Sequence, residues 1–257
     1  MSKFSDFTTN KPRPLPVIIL ADTSGSMSVN GKIEALNSAI EEMVEDFRSA
    51  EDSRAEIHVS VITFGGVAAQ VHLPLTPASE VDYPPLAAYG PTPMGHSFQL
   101  ATSLIEDQEQ VPSRAYTPAI ILISDGVPTD DWKQPLEGLL ESERAARAAR
   151  FALAIGDDAN RDTLEAFLDH PENRVFEADE AHEIHQFFQF VTMSVNQRMR
   201  SRNPDEIPTT SPIRDVSTMP NPEADDEVSQ KQGTDQDCED GTGDKSQEGN
   251  TGEYNWF

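Results

Sequence analysis

The sequence predicts a doubly wound α/β fold, in which a mostly parallel sheet with one antiparallel edge strand has helices on both faces. Parallel strands covered on both faces read as continuous apolar runs, and the chain has three: residues 15–21, 119–123 and 151–155. Amphipathic helical patterns separate these runs, and such alternation is typical of α/β sheets. A β-branched segment at 56–64, a Gly65-Gly66 turn and a second segment at 68–73 predict the antiparallel hairpin.

Helical periodicity marks the stretches between the strands. The first helix is predicted over residues 31–49, where Ile33, Leu36 and Ile40 recur at helical spacing between acidic residues. The remaining predicted helices span residues 92–109, 131–150, 161–170 and 181–200. A short strand is predicted at 174–177, and a proline-rich loop at 74–91. In such folds ligands bind at the carboxyl edge of the sheet, near the switch in strand order.

Composition divides the chain into three parts. The 257 residues have a formal net charge of −26, and residues 201–257 alone contain 14 acidic and 4 basic residues. That last stretch has too few aliphatic residues to offset its chain entropy, so disorder is expected there. We therefore predict an extension over 1–12, a folded domain over 13–200 and an acidic tail over 201–257. The tail is either a solubilising extension or, because it ends in Tyr254, Trp256 and Phe257, a segment that docks on a partner.

Charge and cysteine content limit the functional classes. A strongly negative surface repels phosphate backbones, which argues against nucleic-acid binding. Cys238 is the only cysteine, so no disulfide framework exists and a reducing compartment is expected. No apolar stretch has the length needed to cross a membrane, and residues 1–14 have no apolar signal-peptide core. These observations predict a soluble, cytoplasmic protein with no membrane partner.

Oxygen-bearing side chains follow two of the predicted strands. Asp22, Ser24 and Ser26 come directly after the first apolar run, and Asp125 follows the second. A third loop, between two prolines, provides Thr92. Carboxylates and hydroxyls without sulfur or imidazole are the ligands that suit Mg²⁺, or the similar Mn²⁺. Each aspartate alone could equally cap a following helix, but the three loops together predict a metal site.

These loops closely resemble those of the von Willebrand factor A family, over roughly residues 13–199. That family's metal-ion-dependent adhesion site combines an Asp-x-Ser-x-Ser loop, a threonine on a second loop and an aspartate on a third. The resemblance implies that Ser24, Ser26 and Thr92 ligate the ion directly, whereas Asp22 and Asp125 act partly through water. Segments 15–27, 61–66 and 125–132 look like those of the bacterial tellurium-resistance-type members.

The predicted function is a non-enzymatic, metal-dependent protein-interaction module. A partner's acidic residue would complete the coordination of the ion. The tellurium-resistance resemblance implies a role in bacterial stress response or phage defence, beside a Ser/Thr kinase and a PP2C-type phosphatase. Two alternatives stay open: a Mg²⁺-assisted hydrolase, because Mg²⁺ can activate water, and an assembly factor acting with an AAA-type ATPase.

Other candidate residues have simpler interpretations. His182 and His185 lie one turn apart on a predicted helix, but no third zinc ligand is placed near them, which favours a solvated helix face. Asp130 and Asp131 are interpreted as acids at the start of a helix. The three phenylalanines near the C-terminal end of the domain are expected to be core residues: Phe187, Phe188 and Phe190.

Overall fold

The computed structural model describes residues 11–205, except for residues 51, 53, 171 and 172. Within the described residues six strands form one sheet, in the order β3-β2-β1-β4-β5-β6. The strands are β1 (Arg13–Asp22), β2 (Ala55–Gly65), β3 (Ala68–Pro77), β4 (Ala119–Ser124), β5 (Ala149–Ile155) and β6 (Phe176–Ala178). The helices are α1 (Lys32–Ser49), α2 (Met94–Glu106), α3 (Lys133–Glu141), α4 (Arg161–Leu168) and α5 (Ala181–Arg200). The predicted extension over 1–12 lies almost wholly outside these residues, as does the tail from residue 206, with Cys238 and the aromatic end.

The sheet separates two hydrophobic layers. Alternate residues of β1 point to opposite faces: Leu15, Val17 and Ile19 pack with α1 and α5, whereas Ile18 and Leu20 pack with α2, α3 and α4. All five of these β1 side chains are fully buried. The uninterrupted apolar run at the N-terminus of the domain is therefore explained by burial on both faces.

The strand order places a switch point between β1 and β4. β1 pairs in parallel with β2 on one side and with β4 on the other, so the chain winds outward in two directions from this pair. The register aligns Ala21 with Ile123, which brings the carboxyl ends of both strands to the same level. β3 pairs antiparallel with β2 at the edge of the sheet. The predicted fold class is confirmed.

The helix predicted over residues 131–150 is wrong in its second half. α3 ends at Glu141, and Ala149 and Arg150 belong to β5. The backbone N–H groups of Arg144 and Ala145 donate to the Glu106 carboxylate at 2.7 and 3.0 Å, which draws this segment to the end of α2. High helix propensity of Ala, Glu and Arg residues is therefore overridden by contacts distant in sequence.

Smaller differences concern the ends of elements. β3 continues to Pro77, inside the predicted proline-rich loop, because proline is tolerated in an edge strand. β6 spans Phe176–Ala178 instead of 174–177. α2 begins at Met94, so Thr92 precedes the helix and is free to take part in a loop.

The chain stays attached to the domain for a few residues after α5. Arg198 is 1% exposed, and its guanidinium donates to the carbonyl of Pro204 at 3.1 Å and to that of Thr117 at 2.7 Å. The Asp205 carboxylate accepts from the backbone N–H of Thr117 at 2.8 Å. These contacts lie at the amino ends of the central strands, and they extend the packed chain to residue 205. The domain boundary at residue 200 stays a prediction.

Candidate functional site

The predicted site residues sit where β1 and β4 end. Asp22 is the last residue of β1, and Ser24 precedes a single 3₁₀ turn, Gly25–Ser28, that contains Ser26. Asp125 comes directly after β4. Because these two strands are parallel neighbours at the switch point, their loops meet at one edge of the sheet.

Hydrogen bonds connect four of the five predicted residues. One oxygen of the Asp22 carboxylate, Oδ1, accepts from the backbone N–H of Ser24 at 2.8 Å, and Oδ2 accepts from the Ser124 hydroxyl at 2.6 Å. The Ser24 and Ser26 hydroxyls are 3.0 Å apart. The Ser26 hydroxyl also donates to Asp125 Oδ1 at 2.6 Å. The two carboxylates therefore belong to one hydrogen-bonded network, which runs through the backbone N–H of Ser24 and the two serine hydroxyls.

Thr92 faces the same space from the second loop. A Cβ atom placed on Gly126 would lie 3.7 Å from the Ser26 hydroxyl oxygen and 3.9 Å from the Thr92 hydroxyl oxygen. Both hydroxyls thus border a small volume that the missing side chain of Gly126 leaves free. Together with the hydrogen bonds among the other residues, these distances bring all five predicted residues to the same edge of the sheet.

Backbone hydrogen bonds fix the loop that precedes Thr92. The N–H of Tyr89 donates to the carbonyl of Thr23 at 2.7 Å, and the N–H of Gly25 donates to the carbonyl of Gly90 at 2.9 Å. Gly90 has a φ of 71°, in the left-handed region that side chains other than glycine rarely adopt. Backbone groups of Tyr89 and Gly90 therefore hold the second loop against the first.

The two aspartates have different electrostatic surroundings, although both are completely buried. Burial raises the pKa of Asp22 to about 6, because hydrogen bonds from Ser124 and Ser24 offset only part of the lost hydration. The Asp125 carboxylate adds a smaller rise. Asp125 itself is paired with Lys32, whose ammonium lies 2.7 Å from Oδ2. Asp22 has no such cation among its described contacts.

Sequence reasoning missed three contributors to this site. Ser124 stands next to Asp125 in the sequence, but its hydrogen bond to Asp22 depends on the register between β1 and β4. No sequence spacing predicts a role for Lys32, although a cation in the first turn of a helix is unusual because that end of the helix is partly positive. Asp130 was interpreted as an acid that begins the helix after it. Its carboxylate instead accepts from the N–H groups of Gly95 and His96, both at 2.9 Å, and so caps α2.

The remaining candidates take part in ordinary contacts. His182 lies 3.3 Å from Glu180, and His185 lies 3.0 Å from Glu42. Among the described residues, no group of three or more His, Cys, Asp or Glu side chains is arranged to hold a metal ion. The predicted core phenylalanines are buried: Phe187, Phe188 and Phe190. No helix in the described part of the chain is long and apolar enough to cross a membrane.

Fold and site together define an α/β domain with a cluster of carboxylate and hydroxyl oxygens at the switch point of its sheet. The family model for the von Willebrand factor type A domain matches residues 17–190, which is more than half of the chain. The chain therefore belongs to the von Willebrand factor type A family. Domains of this family typically act as metal-dependent protein-interaction modules, and most are not enzymes.

Solved structures with the same fold are distant in sequence. Proximal thread matrix protein 1 from the mussel byssus has 16% identity and a TM-score of 0.56, over 70% of this chain and 48% of that one. A von Willebrand factor type A protein from Catenulispora acidiphila has 21% identity and a TM-score of 0.53, over 71% and 42%. The pilus adhesin SpaC from Lactobacillus rhamnosus GG has 15% identity and a TM-score of 0.58, over 73% and 31%.

These similarities show the fold. This chain spans less than half of the length of each of those proteins. One structure of the mussel protein has a metal-ion-dependent adhesion site occupied by zinc. No curated protein matches this chain.

Proposed function

We propose that Asp22, Ser24, Ser26, Thr92 and Asp125 hold a divalent cation and that the domain binds a protein partner through it. The observation that carries this proposal is a pair of completely buried carboxylates in one hydrogen-bonded network, of which only Asp125 is paired with an ammonium. Buried charges normally require a counter-charge. A divalent ion in the volume beside Gly126 would provide it.

Mg²⁺ or Mn²⁺ fits the donor set best. All five side chains offer oxygen, and oxygen ligands suit these hard cations, whereas zinc prefers sulfur and imidazole. When bound, the ion supplies a Lewis-acidic position at which an acidic residue of the partner can replace water. The chain's own contribution is to hold the oxygens in place on three loops that are bonded to one another.

A non-enzymatic role is part of the proposal. The contacts of the Ser24 and Ser26 hydroxyls are with each other and with Asp125, so neither serine has a histidine positioned to activate it as a nucleophile among the described residues. His96, on the nearby helix α2, has its Nδ1 occupied by the backbone N–H of Ala69 at 3.0 Å.

Exposed apolar side chains lie on the same edge of the sheet as the proposed ion site. Four large hydrophobic residues, each more than half exposed, lie on loops at the carboxyl edge: Val29, Val67, Tyr89 and Val127. Val29 follows Ser26 by three positions, Val127 follows Asp125 by two, and Tyr89 precedes Thr92 by three. Clustered exposed apolar residues mark interaction surfaces. We name these four residues the apolar rim, and we propose that it contacts aliphatic or aromatic residues beside the partner's acidic group.

The biological setting belongs to the proposal as well. The likeness of segments 15–27, 61–66 and 125–132 to tellurium-resistance-type members supports a role in bacterial stress response or phage defence. A Ser/Thr kinase or a PP2C-type phosphatase is the corresponding partner, and a composition with one cysteine supports a cytoplasmic site of action.

Affinity capture from the source cells tests this function. Wild-type protein and the Asp22→Asn variant serve as baits, each with Mg²⁺ and with EDTA. We expect the wild type with Mg²⁺ to retain a kinase or phosphatase that the other three conditions lose. Retention of the same proteins in all four conditions would contradict a metal-bridged interaction. An AAA-type ATPase captured in a Mg²⁺-dependent manner would favour the assembly-factor alternative.

A pair of variants tests the apolar rim. Val127→Ser should weaken partner capture without changing the affinity for Mg²⁺, because residue 127 lies beside the ion ligands and is 60% exposed. Val71→Ser is the matched control, since Val71 is also exposed but lies along the edge strand β3. Equal capture by both variants would remove the rim from the proposed interface.

A further inference from the structure

Lys32 places a positive charge directly on the candidate metal site. Its ammonium nitrogen lies 2.7 Å from Asp125 Oδ2, while the other oxygen, Oδ1, accepts from Ser26. The Asp125 side chain is 0% exposed and that of Lys32 is 20% exposed, so this ion pair is shielded from solvent. Gly156 directly follows β5, and its backbone lies close to Lys32: a Cβ atom placed on Gly156 would be 3.6 Å from the ammonium nitrogen.

The position of Lys32 in its helix is unfavourable for a cation. It is the first residue of α1, and the N-terminus of a helix has a partial positive charge that repels ammonium groups. The ion pair with Asp125 offsets that repulsion. Among the described lysines, Lys133 is also the first residue of a helix, but it is exposed. Its ammonium nitrogen lies 5.7 Å from the centroid of the Trp132 ring. Of the lysines that the structure describes, Lys32 is the one that connects the start of a helix to the candidate site.

We propose that Lys32 is a tethered counter-ion that keeps the metal-free site folded and competes with the divalent cation for Asp125. The inference rests on the proposed function, because it assumes that the five oxygen-bearing residues hold an ion. Asp22, Asp125 and Lys32 together have a formal charge of −1. A bound divalent ion changes this to +1, whereas it would leave a site without the lysine neutral.

Two consequences follow from these charges. Lys32 raises the metal concentration at which the site loads, because ammonium and ion repel one another and share one carboxylate. It also leaves the loaded site with a net positive charge, which favours an anionic ligand over water. The lysine therefore makes the domain a conditional binder that requires both a sufficient concentration of divalent cation and an acidic partner.

Titration of the full-length chain with Mg²⁺ tests the competition. We expect Lys32→Met to bind Mg²⁺ with a Kd about tenfold lower than the wild type, because removing the ammonium removes its repulsion of the ion. The same variant should have a lower melting temperature in EDTA, because Asp125 loses its counter-charge. Lys133→Met makes the same change in net charge at an exposed helix start and should leave both quantities unchanged. Lys32→Arg keeps the charge and should stay within about threefold of the wild-type Kd.

The two readouts distinguish the possible outcomes. If Lys32 only positioned Asp125, then Lys32→Met would bind Mg²⁺ more weakly as well as melt earlier, and the competition would be wrong. If Lys32→Met is unfolded in EDTA, all chains are titrated in a stabilising osmolyte that keeps them folded, because coupled refolding would weaken the apparent affinity. A weaker affinity than that of Lys32→Arg under these conditions would overturn the proposal. A wild type that binds no Mg²⁺ refutes the metal site itself, whereas a binding wild type with an unchanged Lys32→Met refutes only the role of Lys32.

Discussion

The two central strands, β1 and β4, have buried charges at both of their ends, and the two ends differ. At the amino ends the buried guanidinium of Arg198 donates to the carbonyls of Thr117 and Pro204. At the carboxyl ends the buried carboxylates of Asp22 and Asp125 accept from hydroxyls and from one ammonium. Burial lowers the pKa of Arg198 and raises that of Asp22, because each group loses hydration of its charged form.

The two ends differ in whether the chain itself supplies the partners of the buried charges. At the amino ends the acceptors come from the chain's own backbone. The Asp205 carboxylate accepts from the Thr117 N–H and provides a nearby negative charge for Arg198. At the carboxyl ends oxygen atoms collect without enough positive charge, and they face a volume beside a glycine. A buried cation whose bonds go to the chain's own carbonyls stabilises the fold, whereas two buried carboxylates that share a single ammonium are suited to binding a further cation. Variants at the two ends should therefore behave differently.

Replacing Arg198 should give the largest loss of stability. Arg198→Met keeps much of the buried volume but leaves the carbonyls of Thr117 and Pro204 without their donor. We expect the free energy of unfolding to fall by about 3 kcal/mol. The Kd for Mg²⁺ should not change, because the site lies at the other end of the strands. Arg200→Met, on the same helix but exposed, is the control; an equal loss there would contradict a special role for Arg198.

Asp22→Asn should have the opposite effect at the carboxyl end. Asparagine can still accept from the Ser24 N–H through its oxygen and can donate its amide N–H to the Ser124 hydroxyl, while the buried charge is removed. Stability in EDTA should therefore not fall. The wild type should gain about 2.7 kcal/mol from Mg²⁺ at a hundredfold excess over its Kd, and the variant should gain nothing. Chemical denaturation with EDTA and with Mg²⁺ measures both values. A full Mg²⁺ effect in Asp22→Asn would exclude this carboxylate as a ligand.

Shortening the chain tests whether residues 201–205 contribute to the stability of the domain. A chain that ends at residue 200 lacks the Pro204 carbonyl and the Asp205 carboxylate, whereas one that ends at residue 205 keeps both. We expect the shorter chain to fold but to be about 2 kcal/mol less stable, because the buried Arg198 guanidinium loses acceptors. Thermal unfolding of the two truncated chains provides the comparison. Identical melting temperatures would show that the domain ends with α5.

Acidity should strengthen the metal-free domain slightly. The pKa of Asp22 is raised to about 6 in the folded state from 3.8, so the folded protein binds more protons and its stability falls as pH rises through 6. Between pH 5 and pH 7 this group should lower the free energy of unfolding by about 1 kcal/mol. In Asp22→Asn that contribution should vanish, and the difference between the two pH profiles in EDTA isolates it. Parallel profiles would mean that Asp22 is not protonated near pH 6.

Local patterns in the sequence predicted most of the fold. The apolar runs that became β1, β4 and β5 are uninterrupted because both faces of those strands are covered, and such runs can be recognised without any long-range information. Asp22, Ser24 and Ser26 lie within five consecutive residues, so their proximity follows from the chain itself. Asp125 ends a second recognisable strand, and parallel topology then places it at the same edge.

Tertiary contacts decided what local patterns could not. Residues 142–150 have helical composition, but backbone groups there bond to Glu106 on α2, and the segment enters β5 instead. The Ser124–Asp22 bond depends on strand register between residues 102 positions apart. Lys32 and Asp125 are 93 positions apart, and nothing near either one indicates the other. Sequence alone predicted which oxygens could bind a cation, and only the folded chain decided which of them already has a counter-charge, because charge compensation is a property of spatial neighbours.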